Sequence, residues 1–158
     1  DCCEDTLENL RHNVASCKVS HAVQVENWDL RRSDQECPFD LQEVTTVLAA
    51  DLVYASDAMA GFVGTALALC KAKPNLSIHL LMIHREVLHT SADGICWVSS
   101  EEEFKKCTEA AGLHCTPLEI PQAVVNSVQE GQDWVTRATW SFMRAWQGFR
   151  MYSISLPE

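Results

Sequence analysis

Apolar residues recur along this chain with two different periods, and the alternation between them lays out the expected elements. Cys3, Leu7, Leu10, Val14 and Cys17 are spaced by four and three, with Glu4, Glu8 and Arg11 between them. That is the stripe of an amphipathic helix, and it needs a sheet to cover it. From Ala22 to Glu26, Val23 and Val25 alternate with polar neighbours, which predicts a short strand closed by Asn27, Trp28 and Asp29. A charged loop containing Pro38 runs from Arg31 to Glu43. Thr45–Ala50 is a β-branched and apolar run suited to a strand buried on both faces, as in a parallel sheet, and Asp51 interrupts it.

The clearest helix follows. Met59, Phe62, Val63, Ala66, Leu67 and Cys70 keep helical spacing, Ser56 or Asp57 stands where a cap is wanted, and Pro74 forbids continuation beyond Lys71 and Lys73. Leu76–Ile83 reads as another buried strand. Ser100 and Glu103 form the expected capping box of a helix with Phe104, Cys107, Thr108 and Ala111 on its apolar face, and Gly112 ends it. Leu113–Ile120 is a weakly alternating strand that Pro117 demotes to an edge. Residues 121–132 lack a period and read as a loop, Trp134–Trp146 as a short helix, and Phe149–Leu156 as the last strand. Strands alternating with helices predict an α/β fold with crossover helices in a single domain of 158 residues.

Composition narrows the functions. Apolar residues make up 47% and charged residues 22%, the balance of a packed core. The 22 acids against 12 bases give a formal charge of −10, which is no footprint for a phosphate backbone or an anionic membrane and favours a basic protein partner. No apolar run of membrane-spanning length appears. The eight cysteines are scattered without a C-x-x-C pair, and Cys3, Cys17, Cys70 and Cys107 fall on apolar helix positions. They read as small buried hydrophobes in a reducing compartment, cytosol or nucleus, and no metal site is expected.

In open α/β sheets ligands gather beyond the carboxyl ends of strands, which directs attention to Asp1, to Asn27-Trp28-Asp29 and to Ala50-Asp51-Leu52-Val53-Tyr54. A strand-end acid accepts both hydroxyls of a ribose, and an indole stacks on or edges an adenine, so the set suits a cofactor containing adenosine. Each residue also has a plain reading: Asp1 as a solvated terminal residue, Trp28 as filler beneath the loop, Asp51 as a helix cap. His84 with His89, His114 beside Cys115, and Cys96 near a histidine have no spacing that outranks surface or core placement. Trp134, Trp140 and Trp146 fit packing better than a base-stacking platform in so acidic a chain.

Together these segments resemble a known family. Thr45 through Tyr54 is similar to the fourth-strand segment of seven-β-strand protein-lysine methyltransferases, with the D-x-x-Y signature at Asp51 and Tyr54. Asp1–Asn13 resembles the acidic residue and helix after strand two, and Val23–Asp29 the third-strand segment ending near a tryptophan. The resemblance implies a partial Rossmann-like sheet, mostly parallel with an antiparallel last strand, in a chain that is the C-terminal part of one methyltransferase domain. It implies S-adenosyl-L-methionine as cofactor and, as partner, a protein carrying the acceptor lysine, with no nucleic acid or membrane partner. Asp1, Trp28 and Ala50 would lie on the cofactor side; Asp51 and Tyr54 would face the lysine.

One departure is large. Strand one, its glycine-rich turn and strand two would precede Asp1, and the six glycines here supply no G-x-G after a strand. Removing those strands is expected to orphan Ala22–Glu26, expose the edge of Thr45–Ala50 and leave the isolated chain inactive. A methyltransferase-derived interaction module without cofactor is the alternative; an RNA or small-molecule methyltransferase fits less well, because no asparagine-proline-proline signature follows Ala50.

Overall fold

The two apolar runs most like strands lie side by side. The computed structural model describes residues 3–18, 20–32, 36–53, 55–84, 86–91, 94–120 and 149–157. In chain order the elements are α1 (Glu4–Ala15), a 3-10 turn (Ser20–Ala22), β1 (Thr46–Ala50), α2 (Ser56–Ala72), β2 (Ser77–Ile83), β3 (Glu86–Ser91), β4 (Gly94–Ser99), α3 (Ser100–Ala110), β5 (His114–Leu118) and β6 (Phe149–Ser155). Strands β1, β2, β6 and β5 form one sheet in that order, and β3 and β4 pair as a separate hairpin. β1 is parallel to β2, with Thr46 opposite Ser77 and Ala50 opposite Leu81. β6 is antiparallel to both β2 and β5. Three strands therefore point one way and the last strand opposes them, as the resemblance implied.

The core lies on one face of this sheet. Ala49 of β1, Ile78, Leu80 and Met82 of β2, and Tyr152 and Ile154 of β6 are buried together with Met59, Phe62 and Ala66 of α2 and Phe104 of α3. Period two on the strands and period 3.6 on the helices bring these positions to a common interior. Phe104 is fully buried, its ring 6.4 Å from that of Phe62 and 5.8 Å from that of Tyr152. Behind the last turn of α2, Lys73 Nζ donates to the carbonyls of Leu41, Gln42 and Val44 at 3.0, 2.9 and 2.6 Å. One ammonium thus ties the chain entering β1 to the helix leaving it, through charge-assisted bonds to carbonyls without sheet partners.

A second tie joins α3 to the sheet. Glu101 accepts hydrogen bonds at Oε1 from Lys105 Nζ at 2.7 Å and from the Tyr152 hydroxyl at 2.5 Å. Its Oε2 lies 3.1 Å from His84 Nδ1 and 3.3 Å from Arg150 Nε. Burial pushes this carboxyl up. The hydrogen bonds from Lys105 and Tyr152, the Lys105 charge and the contact with His84 outweigh that and hold it at about 2, below its ordinary 4.5. Tyr152 is pushed the other way, by burial and by Glu101. Because the folded-state value of Glu101 is depressed, its stabilisation is complete above about pH 4.5 and is lost as the pH falls toward 2. Urea midpoints are expected to decline through that window, and Glu101→Gln to remove this part of the decline. An unaltered pH profile in the variant would assign the acid sensitivity to other carboxylates.

Several expectations are corrected. Ala22–Glu26 forms no strand: Ala22 closes the 3-10 turn and residues 23–29 are irregular, because an extended run makes a ladder only beside a partner edge. β1 is covered on one face only, and Leu48 on its open face is 77% exposed. α1 buries Leu7 but leaves Leu10, Cys3 and Cys17 exposed, so those two cysteines are not core residues. Cys70 is buried and Cys107 half-buried.

Helix starts are shifted as well. Ala55, not Ser56 or Asp57, is the N-cap of α2, and no side chain caps it. The cap of α3 is Ser99, whose Oγ accepts from Glu102 N at 3.3 Å; Ser100 is buried, its Oγ 3.5 Å from the Ile83 carbonyl. Pro117 does lie on an edge strand, β5, and Gly112 follows α3 at φ +71, the left-handed conformation expected of a helix terminator. The β3–β4 hairpin was not expected, although Asp93-Gly94 between two alternating runs is its sequence signal. The loop at 121–132 and the helix at Trp134–Trp146 lie outside the described residues.

Candidate functional site at the sheet edge

β1 and β2 run in parallel, so their carboxyl ends open onto the same edge, where α/β sheets place ligands. Ala50 ends β1 there and is exposed. Asp51 follows, half-buried, with its backbone N–H donating to the Leu81 carbonyl at 2.8 Å. Its φ of 52° makes it the one non-glycine residue with positive φ among those described. Aspartate tolerates this region better than most residues, and such conformations gather where the chain must turn a functional side chain out of a strand. The turn it makes sends Val53 into the core, only 1% exposed, before α2 begins. With Ala55 at the N-cap, Asp51 stands four residues too early to be the cap of α2. Tyr54 and Asp1 lie outside the described residues.

Trp28 occupies a different place. It packs half-buried against the core, edge-on to Phe39 with ring centroids 6.4 Å apart. It also lines a cavity of about 610 Å³ along α2, together with Leu30, Arg31, Leu41, Gly61 and Gly64. The main chain lies so close at Gly61 that a Cβ there would meet the Leu30 carbonyl oxygen at 2.5 Å. Neither Ala50 nor Asp51 lines this cavity. Next to Trp28, Asp29 is held by Arg31, whose Nε and Nη2 reach its two carboxylate oxygens at 2.9 and 3.0 Å. That hydrogen bonding keeps the Asp29 carboxyl below its usual range.

The structure thus brings Ala50 and Asp51 to one edge and puts Trp28 on the flank of α2. An adenosine cofactor held as the resemblance implies would need Trp28 and the Ala50 strand end in one wall, together with the close backbone approach of a glycine-rich turn. Among the described residues, the cavity that Trp28 lines does not reach Ala50 or Asp51, so they do not by themselves form that wall. Two further features lay beyond sequence reasoning. The positive φ of Asp51 has no local signal in its sequence, and Glu101 gathers partners from residues 84 to 152, a separation that only tertiary structure closes. Among the described residues no group of three or more histidine, cysteine, aspartate or glutamate side chains is placed to hold a metal ion, and no helix is long and apolar enough to cross a membrane.

A mixed sheet flanked by helices, with an acidic residue following a strand end, is an α/β architecture of the kind in which ligands gather beyond the strand ends. The chain belongs to the lysine methyltransferase family, whose model matches residues 1–94, more than half its length. That stretch contains α1, β1 with Asp51, α2 and β2. No curated protein matched the chain.

Proposed function

We propose that this chain is the C-terminal part of one methyltransferase domain that transfers a methyl group from S-adenosyl-L-methionine to lysine side chains of a protein. The observation that carries this reading is the family match across residues 1–94, which spans the strand end where Asp51 leaves β1. In this reading β1-β2-β6-β5 is one half of a seven-stranded sheet, and the free edge of β1 adjoins the half that holds most of the cofactor. By the resemblance, Asp1 would bind the ribose hydroxyls and the Ala50 backbone the cofactor, and Trp28, on the flank of α2 in this structure, would have to repack against the other half to reach the adenine. Asp51 and Tyr54 would hold the lysine.

The acceptor nitrogen must be neutral and aligned to attack, and a carboxylate at Asp51 orients the ammonium before its proton leaves to solvent. The net charge of −10 suits a basic protein substrate rather than nucleic acid, and the scattered cysteines suit the cytosol or nucleus. The test has two arms. The parent protein, incubated with methyl-labelled cofactor and cell protein, is expected to yield methyllysine after acid hydrolysis, and label recovered only in other residues or in RNA would overturn the reading. Calorimetric titration of the isolated chain with the cofactor is expected to show no tight binding, because the sequence supplies no glycine-rich turn after a strand and the cavity lined by Trp28 does not reach Ala50. The same geometry favours the second reading, an interaction module without cofactor, if the parent also fails to bind it.

A further inference from the structure

The β3–β4 hairpin is separate from the four-stranded sheet, and none of the residues of β4 is among the buried core. It leaves β2 at the carboxyl edge where Asp51 follows β1, since β3 begins at Glu86, three residues after β2 ends. Its root is braced: His84, just before the hairpin, contacts Glu101, just after it, at 3.1 Å, and Ser99 at the end of β4 caps α3. Along β4 the chain is exposed from Gly94 to Trp97 and half-buried at Val98 and Ser99, so this strand presents its first four residues to solvent from a fixed base. Ile95 and Trp97, two residues apart and therefore on one face, are 68% and 67% exposed.

An indole left in water on a braced ribbon is the residue type that anchors protein interfaces, and its face attracts ammonium and guanidinium groups. From Glu86 to Ser99 the sequence holds Glu86 and Asp93 and no lysine or arginine, with Arg85 immediately before it. Glu102, exposed at the foot of the arm, extends the acidic character. We propose that this hairpin is a docking arm for a basic segment of the protein that presents the acceptor lysine, with Trp97 as its anchor and Ile95 beside it. The inference rests on the methyl-transfer reading for the identity of the partner, while the surface itself is defined by the arm.

The test uses the 158-residue chain without cofactor and a fluorescent peptide rich in lysine and arginine, with an acidic peptide of equal length as control. Fluorescence anisotropy is expected to show salt-sensitive binding of the basic peptide only, weakened roughly tenfold by Trp97→Ala and largely restored by Trp97→Phe. Circular dichroism of both variants should match the parent chain, because the side chain is mostly in solvent. Equal binding of the acidic peptide, or indifference to Trp97→Ala, would overturn the proposal. So would sedimentation showing that Trp97 instead joins two copies of this chain. If the parent proves to transfer no methyl to lysine while peptide binding keeps its dependence on Trp97, the arm stands and only the methyl-transfer reading falls. If the parent methylates lysine and binding ignores Trp97, the arm falls alone.

Discussion

Replacing Asp51 by alanine in the parent protein is expected to slow lysine methylation by roughly 30- to 900-fold, the equivalent of about 2–4 kcal/mol of barrier for a lost positioned charge. Cofactor affinity should change far less, because Asp51 leaves β1 on the proposed acceptor side while Asp1 and Trp28 are the cofactor candidates. The backbone supplies a control. At φ 52° alanine is more strained than aspartate, so part of the loss in Asp51→Ala would come from the turn itself. Asparagine tolerates that conformation and keeps the size of the side chain without its charge. Asp51→Asn should therefore retain the folding stability and still lose most of the rate in single-turnover measurements. Near-normal turnover in Asp51→Asn would remove the carboxylate from the chemistry, and a loss seen only as lowered stability in Asp51→Ala would reduce Asp51 to a turn residue.

Phe104→Ala is expected to destabilise the chain by about 3–5 kcal/mol, the range for deleting a fully buried aromatic ring. The ring is 0% exposed and sits between Phe62 of α2 and Tyr152 of β6, so its removal opens a void where two helices and the sheet meet. Collapse around that void is restricted on one side by the polar ties of Glu101 to Tyr152 and His84, which fix the first turn of α3. Urea unfolding should report the full loss as a lower midpoint with an unchanged slope. A cost below about 1 kcal/mol would mean that α3 is held chiefly by those polar ties rather than by its apolar face.

Much of this architecture was legible along the chain. The helical spacing of Met59, Phe62, Val63, Ala66, Leu67 and Cys70 predicted α2; five of them are buried and Leu67 is half-buried. The apolar runs at Thr45–Ala50, Leu76–Ile83 and Phe149–Leu156 are the sites of β1, β2 and β6. Such signals are local, because a helix or strand must place its apolar residues on one side whatever covers them. The same logic failed for Val23 and Val25. Their alternation describes a strand only if a neighbour supplies the ladder, and no described strand lies beside them. It failed too for Cys3 and Cys17, whose stripe on α1 finds little to pack against beyond Leu7.

The sequence by itself determined α1, β1, α2, β2, α3, β5 and β6 in their order, the family, and the acidic residue that follows β1, because periodicity and motif spacing are read from residues near one another; it missed the β3–β4 hairpin and supplied a strand at Ala22–Glu26 that does not form. Only the tertiary structure decided that β6 inserts between β2 and β5, that Asp51 turns out of its strand at positive φ, and that Trp28 faces α2 rather than the strand end. It also decided that Glu101 binds partners on α3, after β2 and on β6, and that Trp97 stands on an exposed arm. These depend on contacts between residues far apart in the chain, whose loop-closure cost and packing no local pattern records.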